Sequence, residues 1–546
     1  MTGQAQFEGS GASFDIAIMN GLVIDGESPL AARDVGIKNG RIAALGEGTS
    51  WRAKKIVDAS GMVVSPGFID AHSHGDFIDF YPTDRQDLVT AGLRQGVTTQ
   101  VVGNCGFSSF AYDQGDPDTL ARHIRSLFGP EARSWPTVDH YRRALEDVGM
   151  HMNVATLIGH GSLRSSLSEK DQDPSNLKAC MEAAVKAAVR AGAAGLSSGL
   201  VYMPGTTADT GELVAASLGL RGSGLPYATH VRGETDDVIR SVGEALDIAR
   251  SANVPLHISH HKVAGRRNWG STLETLKLID SVRMDGRDVS VDVYPYTAAS
   301  TSLHTLLPHW IQAGGIDEMA ERLSDSQTRR RLAYEINNGV PGWENMLGAA
   351  GWSAVTIAHA PGARTFEGST LSRVGESLNM DPFDATVELL RRAQGPITVV
   401  FEVLDEGDVR RVLQHPSSMI GSDGIPLPGK PHPRWAGSFT RVLAEYVREQ
   451  NLLSLGQAIA KMSLMPAQRF LLHDRGRIAV GYAADLVVFD PAEVQDGATF
   501  DEPLARPEGI RAVVLNGEVV VEEGEFKTIR AGRFLTPHIP PRSSEL

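Results

Sequence analysis

The chain has 546 residues, and its 42% hydrophobic and 22% charged content is ordinary for a folded globular protein. Its formal net charge of -14 excludes the basic surface that nucleic acid or an anionic membrane requires, so we expect neither as a partner. The only cysteines, Cys105 and Cys180, are too few for a disulfide framework, although a single bridge between them is the alternative. Residues 1–14 lack the pattern of a signal peptide, and no apolar run reaches membrane-spanning length. We therefore predict a cytoplasmic protein.

Both ends of the chain carry short predicted strands joined by Asn-Gly turns. Such turns connect antiparallel neighbours in hairpins, and they occur at 20–21, 39–40 and 516–517. Neither end has enough strand to bury a sheet by itself. We therefore expect residues 1–64 and 471–546 to build one small β-sandwich together.

Between the two ends, residues 65–470 alternate apolar β runs with helical segments, the pattern of parallel strands with crossover helices. The sequence predicts an α/β fold with a TIM-like (β/α)8 barrel, because the candidate strands reach the eight that a barrel needs. They lie near 62–69, 97–103, 153–159, 193–200, 225–229, 254–259, 288–294, 355–359, 397–403 and 418–422. A helix is predicted over 177–191, and the charged helical segment 305–338 is a candidate lid.

The first candidate metal ligands are His72 and His74, which follow the apolar run 62–66. Side chains two apart on a strand project from the same face, so the two imidazoles converge and supply half of a metal site. An isolated His-x-His pair is equally compatible with hydrogen-bonded residues at the end of a strand. The interpretation therefore depends on other residues.

Four further predicted strands end in residues that bind metals. These are Cys105, His230, His260 and Asp423. Each alone is most simply a buried thiol, a core histidine or a turn residue. In a parallel barrel, however, all carboxyl ends of the strands lie on one rim, so the six side chains are expected to meet there. Mixed imidazole, thiolate and carboxylate ligands suit Zn²⁺.

At these residues the chain resembles the amidohydrolase superfamily, and within it the N-acyl-D-amino-acid deacylases (D-aminoacylases), from about residue 15 to residue 526. The resemblance rests on PGFIDAHSH (66–74), GNCG (103–106), SGLVYMPG (198–205), THVR (229–232), ISHHK (258–262), DVYPYT (292–297), GSDG (421–424) and HPR (432–434). It implies one or two Zn²⁺ ions. The tight site would comprise Cys105, His230 and His260, and the weaker site His72, His74 and Asp423.

The resemblance also implies substrate contacts from residues that match Tyr202, Lys262, Tyr294, Ser300 and Arg434. Arg434 is the natural partner of an α-carboxylate, because its guanidinium offers parallel donors to two oxygens. Asp423 is the candidate catalytic residue, which takes a proton from water and returns it to the leaving amine.

The predicted function is therefore the zinc-dependent hydrolysis of an N-acyl-D-amino acid, a small-molecule substrate, to a carboxylate and a free D-amino acid. One alternative is a cyclic amidohydrolase of the dihydroorotase or hydantoinase kind, and another is a non-catalytic metal-binding scaffold. The run 300–310 (STSLHTLLPHW) has no Arg or Lys and favours an apolar substrate side chain. An acidic substrate side chain remains an alternative, because it could be bound by Lys262 or by Arg266 and Arg267.

Overall fold

A computed structural model describes residues 13–27, 29–47, 51–167 and 173–540. Most of the segment used for the signal-peptide prediction lies outside these ranges, as does the end of the predicted C-terminal domain. Within them, no helix combines the length and apolar character needed to cross a bilayer. Cys105 and Cys180, which both lie in the described ranges, do not form a disulfide with each other.

In the described part of the chain, eight parallel strands form the barrel. Each is buried, and each pairs in parallel with the next. In chain order they are Phe68–Asp70, Val97–Val102, Asn153–Thr156 continued by Ile158–Gly159, Leu196–Gly199, Tyr227–His230, Leu256–Ile258, Val289–Val293 and Ser418–Ile420. The Ala71 amide closes the ring by donating to the Ile420 carbonyl at 3.2 Å. The predicted barrel is thereby confirmed.

Three candidate strands differ from the prediction. The stretch near 62–69 is two strands, because Val63–Pro66 joins the terminal sheet and only Phe68–Asp70 enters the barrel. Those at 355–359 and 397–403 were wrongly placed among the parallel strands: they pair antiparallel with each other outside the barrel. Hydrophobic patterning identifies a buried strand but not the sheet to which it belongs.

Helices follow the barrel strands and pack their apolar sides against them. Val238–Ala252 shows the rule, since it buries Val242, Ala245 and Ile248 at helical spacing. The predicted helix over 177–191 is observed as Pro174–Arg190. The others outside the insertion are Gln86–Arg94, Pro117–Phe128, Val138–Val148, His160–Ser166, Thr210–Leu218, Thr272–Met284, Glu406–Gln414, Arg434–Arg441 continued by the π-helix Val442–Glu449, Leu455–Met462 and Leu464–Arg469.

Among the described residues, strands from both ends of the chain form one nine-stranded sheet, as the terminal patterns predict. Its strands are Ser13–Val23, Ala31–Lys38, Arg41–Gly46, Arg52–Asp58, Val63–Pro66, Leu486–Phe489, Ile510–Leu515, Glu518–Glu522 and Glu525–Phe526. Apolar residues of both halves, such as Ile18, Val35, Leu486 and Val514, share one buried cluster. The two termini therefore fold as one unit.

An insertion with its own apolar core separates the seventh barrel strand from the eighth. It contains the antiparallel strands Ala298–Ser302, Val355–His359 and Thr398–Glu402, with Thr398–Glu402 in the middle. Its α-helices are His309–Gln312, Ile316–Arg322, Ser326–Asn338, Met346–Ala350, Leu371–Leu378 and Pro382–Arg392. Because the insertion begins just after a barrel strand, it stands at the rim where the candidate ligands lie.

Candidate metal centre

All six candidate ligands lie at the carboxyl ends of barrel strands, and each is at most 7% exposed. His230 is the last residue of its strand, and the others follow theirs by two to four residues. The ligands are His72, His74, Cys105, His230, His260 and Asp423. Five different strands thus deliver their side chains to one side of the barrel.

Four of these side chains meet with their ligand atoms within 4.8 Å of one another: His72, Cys105, His260 and Asp423. The Cys105 sulfur lies 3.4 Å from Nε2 of His72 and 3.4 Å from Nε2 of His260. The Asp423 Oδ1 atom lies 3.4 Å from Nε2 of His72 and 3.3 Å from Nε2 of His74. The thiol therefore stands between imidazoles that follow the first and the sixth barrel strands, and the carboxylate stands between the two imidazoles that follow the first strand.

His230 stands beside this group and shares His260 with it. The two rings are 4.3 Å apart, and the ligand atoms of His230, Glu234 and His260 form a second close set. The geometry thus joins His72 to Cys105 and His260, whereas the resemblance pairs Cys105 and His260 with His230. His260 and Cys105 are common to both groupings.

The site has the chemistry that a metal ion needs. Both ring nitrogens of His230 and Nδ1 of His74 are buried without a hydrogen-bond partner among the described residues, which is rare for buried polar atoms. Burial alone would raise the pKa of the Cys105 thiol, but His72 and His260 hold it well below its ordinary value. A buried thiolate among unpartnered imidazoles fits Zn²⁺.

Three of the candidate ligands have a backbone conformation that is unfavourable for residues other than glycine. The φ angles of Cys105, His260 and Asp423 are +52°, +35° and +50°. Each such residue costs on the order of 1–3 kcal/mol, and such strain concentrates at functional sites because it aims side chains. No sequence pattern predicted it.

Glu234 is a site residue that the sequence analysis missed. It is 3% exposed, and its Oε1 atom lies 2.6 Å from Nζ of Lys262 and 3.2 Å from Nδ1 of His260. Burial alone would lower the pKa of Lys262, but the neighbouring Glu234 carboxylate raises it, so the ammonium stays charged. The available signal was the spacing of Glu234 four residues after His230.

A cleft of about 750 Å³ opens above the ligands between the barrel rim and the insertion. All five predicted substrate-contacting residues line it: Tyr202, Lys262, Tyr294, Ser300 and Arg434. Burial raises the pKa of Tyr294 to about 12, and its hydroxyl has no hydrogen-bond partner in the described part of the chain. A neutral phenol is therefore available to a ligand.

Arg434 contacts the candidate catalytic carboxylate. It is 1% exposed, its Nη1 atom lies 2.9 Å from Oδ2 of Asp423, and its guanidinium stacks 4.7 Å from the centre of the Tyr294 ring. The contact with Asp423 lacks hydrogen-bond geometry, so Nε and Nη1 remain without an acceptor among the described residues. Burial alone would raise the pKa of Asp423, but Arg434 and His260 hold it well below its usual value.

The insertion touches the barrel rim at the far side of the cleft. The Glu344 side chain accepts hydrogen bonds from the backbone amides of Glu234 and Thr235. Burial, together with the nearby Glu234 carboxylate, raises the pKa of Glu344 to about 8. A second contact joins Thr206 to His309, whose Nε2 lies 3.1 Å from the threonine hydroxyl. The cleft is thus walled by two parts of the chain.

The chain is similar to known proteins over most of its length. The Amidohydro_3 model, described as "Amidohydrolase family", matches residues 55–521. A D-aminoacylase of Alcaligenes xylosoxydans xylosoxydans is 36% identical over 96% of this chain and 97% of its own. The crystal structure of an N-acyl-D-glutamate deacylase from Bordetella bronchiseptica, complexed with zinc and a phosphonate inhibitor, is 34% identical over 96% of this chain and 100% of its own, with a TM-score of 0.81.

A more distant structure shares the fold alone. The L-hydantoinase of Arthrobacter aurescens is 18% identical over 96% of this chain and 100% of its own, with a TM-score of 0.56. The closer matches confirm the resemblance seen in the sequence motifs. The chain belongs to the amidohydrolase family and, within it, to the D-aminoacylase group.

Proposed function

We propose that this protein hydrolyses the amide bond of N-acyl-D-amino acids in a zinc-dependent reaction that yields a carboxylate and a free D-amino acid. The observation that carries the proposal is the contact between Asp423, at the candidate metal centre, and the buried Arg434 in the same cleft. A general base and a carboxylate-binding group are thereby neighbours. The substrates of the deacylases to which the chain is similar support the same reaction.

The residues divide into a metal-holding set and a proton-transferring group. One or two Zn²⁺ ions would be held by His72, His74, Cys105, His230, His260 and Asp423. Bound zinc supplies a Lewis acid that polarises an amide carbonyl and makes water more acidic. The ionised Asp423 accepts the proton of the attacking water on a carboxylate oxygen and delivers it to the leaving amine nitrogen.

Arg434 binds the substrate α-carboxylate in this proposal. Its Nε donor is buried and has no hydrogen-bond acceptor among the described residues, its Nη1 atom is ion-paired with Asp423, and the fork geometry of a guanidinium matches a carboxylate. The Tyr294 hydroxyl is a second available donor in the cleft. Lys262 is already bound to Glu234, so we assign it a supporting role beside the carboxylate or the developing oxyanion.

Replacing Arg434 by lysine is expected to raise KM for N-acetyl-D-leucine by about 10-fold or more, because the loss of one charge-assisted hydrogen bond costs roughly 1.5–3 kcal/mol. Steady-state kinetics at saturating zinc will measure the change. Arg475→Lys is the matched control, since Arg475 is a buried arginine paired with Asp485 at 2.8 Å in another part of the molecule. An unchanged KM in Arg434→Lys would remove Arg434 from substrate binding.

The cleft favours an uncharged, apolar substrate side chain. Leu306, Trp343, Met346 and Phe401 line it. Arg232 also lines it, but its guanidinium is engaged by the Glu244 carboxylate through hydrogen bonds of 2.9 and 3.0 Å. A carboxylate on the substrate side chain would meet at Arg232 a guanidinium that is already paired, and would carry the cost of burying a charge.

Arg266 and Arg267, the two other arginines that could bind an acidic substrate, lie away from the walls of the cleft. Arg266 and Arg267 belong to a short surface turn, Arg266–Asn268, whose residues are not buried. Arg267 pairs with Asp236, and Arg266 stacks on Trp269. Their positions therefore support the apolar preference.

A substrate panel tests the proposed reaction. With zinc present, we expect N-acetyl-D-leucine to be hydrolysed, with kcat/KM at least about 10-fold above that for N-acetyl-D-glutamate, since burying an unpaired charge costs more than 1.4 kcal/mol. The panel also contains N-acetyl-L-leucine and a hydantoin, and the free amino acid is measured by chromatography. Turnover of the hydantoin alone would show a cyclic amidohydrolase, and zinc binding without any turnover would show a scaffold protein.

We further propose that residues 1–64 and 471–546 form the β-sandwich and that residues 65–470 form the barrel domain. We also propose that residues 305–338 cover the substrate. Thr305, Leu306 and His309 line the cleft, which supports a covering role for this segment. The low cysteine count supports a cytoplasmic location.

A further inference from the structure

Asp292 is a buried carboxylate behind the candidate metal centre to which the proposed reaction gives no role. It lies on the seventh barrel strand, Val289–Val293, and is 0% exposed. Its Oδ2 atom lies 3.2 Å from Nδ1 of His72 and 2.8 Å from Nε2 of His257. Its Oδ1 atom accepts a hydrogen bond of 2.9 Å from the backbone amide of His260. One carboxylate thus touches two candidate ligands from different strands.

These contacts fix the proton positions on the rings. An ionised carboxylate only accepts hydrogen bonds, so the ring nitrogens that face it must carry protons. Neutral His72 is therefore protonated at Nδ1, and the lone pair of its Nε2 points toward the Cys105 sulfur and Asp423. His257 carries its proton on Nε2, which leaves Nδ1 to accept from the Ser290 hydroxyl at 2.8 Å.

The packing around Asp292 keeps this arrangement in place. A Cβ atom added to Gly421, beside the eighth strand, would lie 2.6 Å from Cβ of His72 and 2.8 Å from Oδ1 of Asp292. The eighth strand therefore approaches both residues as closely as a glycine allows. The carboxylate cannot turn away from His72 without giving up its bonds to His257 and to the main chain of His260.

We propose that Asp292 is a positioning residue of the metal centre, which holds His72 in the tautomer that ligates through Nε2 and anchors the main chain of His260. The inference rests on the proposed zinc centre. Carboxylates that accept from the second nitrogen of a ligating histidine orient the ring and raise its basicity. An amide cannot replace Asp292, because it has one acceptor atom and its NH₂ group would face a donor.

The experiment measures zinc affinity rather than turnover. Asp292→Asn is expected to weaken zinc binding by about 10–100-fold, the usual effect of losing such a partner. Competition with a chromophoric chelator gives the Kd of the full chain. Glu212→Gln is the matched control, because Glu212 is a buried carboxylate that contacts a buried histidine, His160, at 2.9 Å outside the candidate metal centre. Its zinc Kd is expected to stay at the wild-type value.

Each result separates this inference from the proposed function. Wild-type zinc affinity in Asp292→Asn, or equal weakening in Glu212→Gln, would overturn the role of Asp292 while leaving the zinc centre intact. A wild-type protein that binds no zinc would overturn the proposed centre itself. If Asp292→Asn does not fold, a crystal structure of the zinc-loaded wild type decides: an ion on Nε2 of His72 supports the inference, and an ion on Nδ1 overturns it.

Discussion

Replacing Asp423 by asparagine is expected to lower kcat for N-acetyl-D-leucine by about 10²–10⁴-fold, the usual contribution of a general acid–base group. Asparagine preserves the shape of the side chain but cannot accept a proton at pH 7. Arg434 and His260 keep the pKa of Asp423 well below its ordinary value, so the wild-type side chain is ionised and carries no proton of its own. The measurement is kcat at saturating substrate and zinc.

Zinc content must be measured in the same preparation, because Asp423 is also a candidate ligand. Asp485→Asn is the matched control: Asp485 is buried and paired with Arg475 at 2.8 Å, much as Asp423 is paired with Arg434 at 2.9 Å. The control should keep the wild-type kcat even if its stability falls. Undiminished turnover in Asp423→Asn would exclude Asp423 as the group that transfers the proton.

Replacing Cys105 by alanine is expected to weaken zinc binding by more than about 100-fold, beyond the effect of losing a group that only supports a ligand. The Cys105 sulfur lies 3.4 Å from both His72 and His260, so its removal takes away the atom between ligands of the first and sixth strands. Turnover should fall with the zinc content. Metal analysis and chelator competition on the full chain measure the effect.

Cys180→Ala is the matched control for this prediction. Cys180 is the second cysteine of the chain and lies on the helix Pro174–Arg190, where it packs against the apolar core. The Cys180→Ala variant should keep both its zinc and its activity. A Cys105→Ala variant that binds zinc as tightly as the wild type would contradict the proposed ligand set.

The sequence predicted the barrel and the place of its candidate ligands, because both depend on local patterns. Apolar runs with helices between them indicate parallel strands, and the carboxyl ends of parallel strands share one rim. Metal-binding residue types at the ends of several such runs, as at Cys105 and His260, were therefore expected to meet. The structure gathers these side chains at one rim.

The sequence by itself determined the residue types and their order along the strands. Only the tertiary structure decided which side chains contact each other or form ion pairs. Several features depend on contacts between residues that are far apart in the sequence or on opposite sides of a loop. They are the antiparallel strands of the insertion, the contact of Arg434 with Asp423 and the supporting carboxylates Glu234 and Asp292. A local pattern records whether a side chain is buried. It does not record what that side chain faces, because its neighbours are supplied by other strands when the barrel closes.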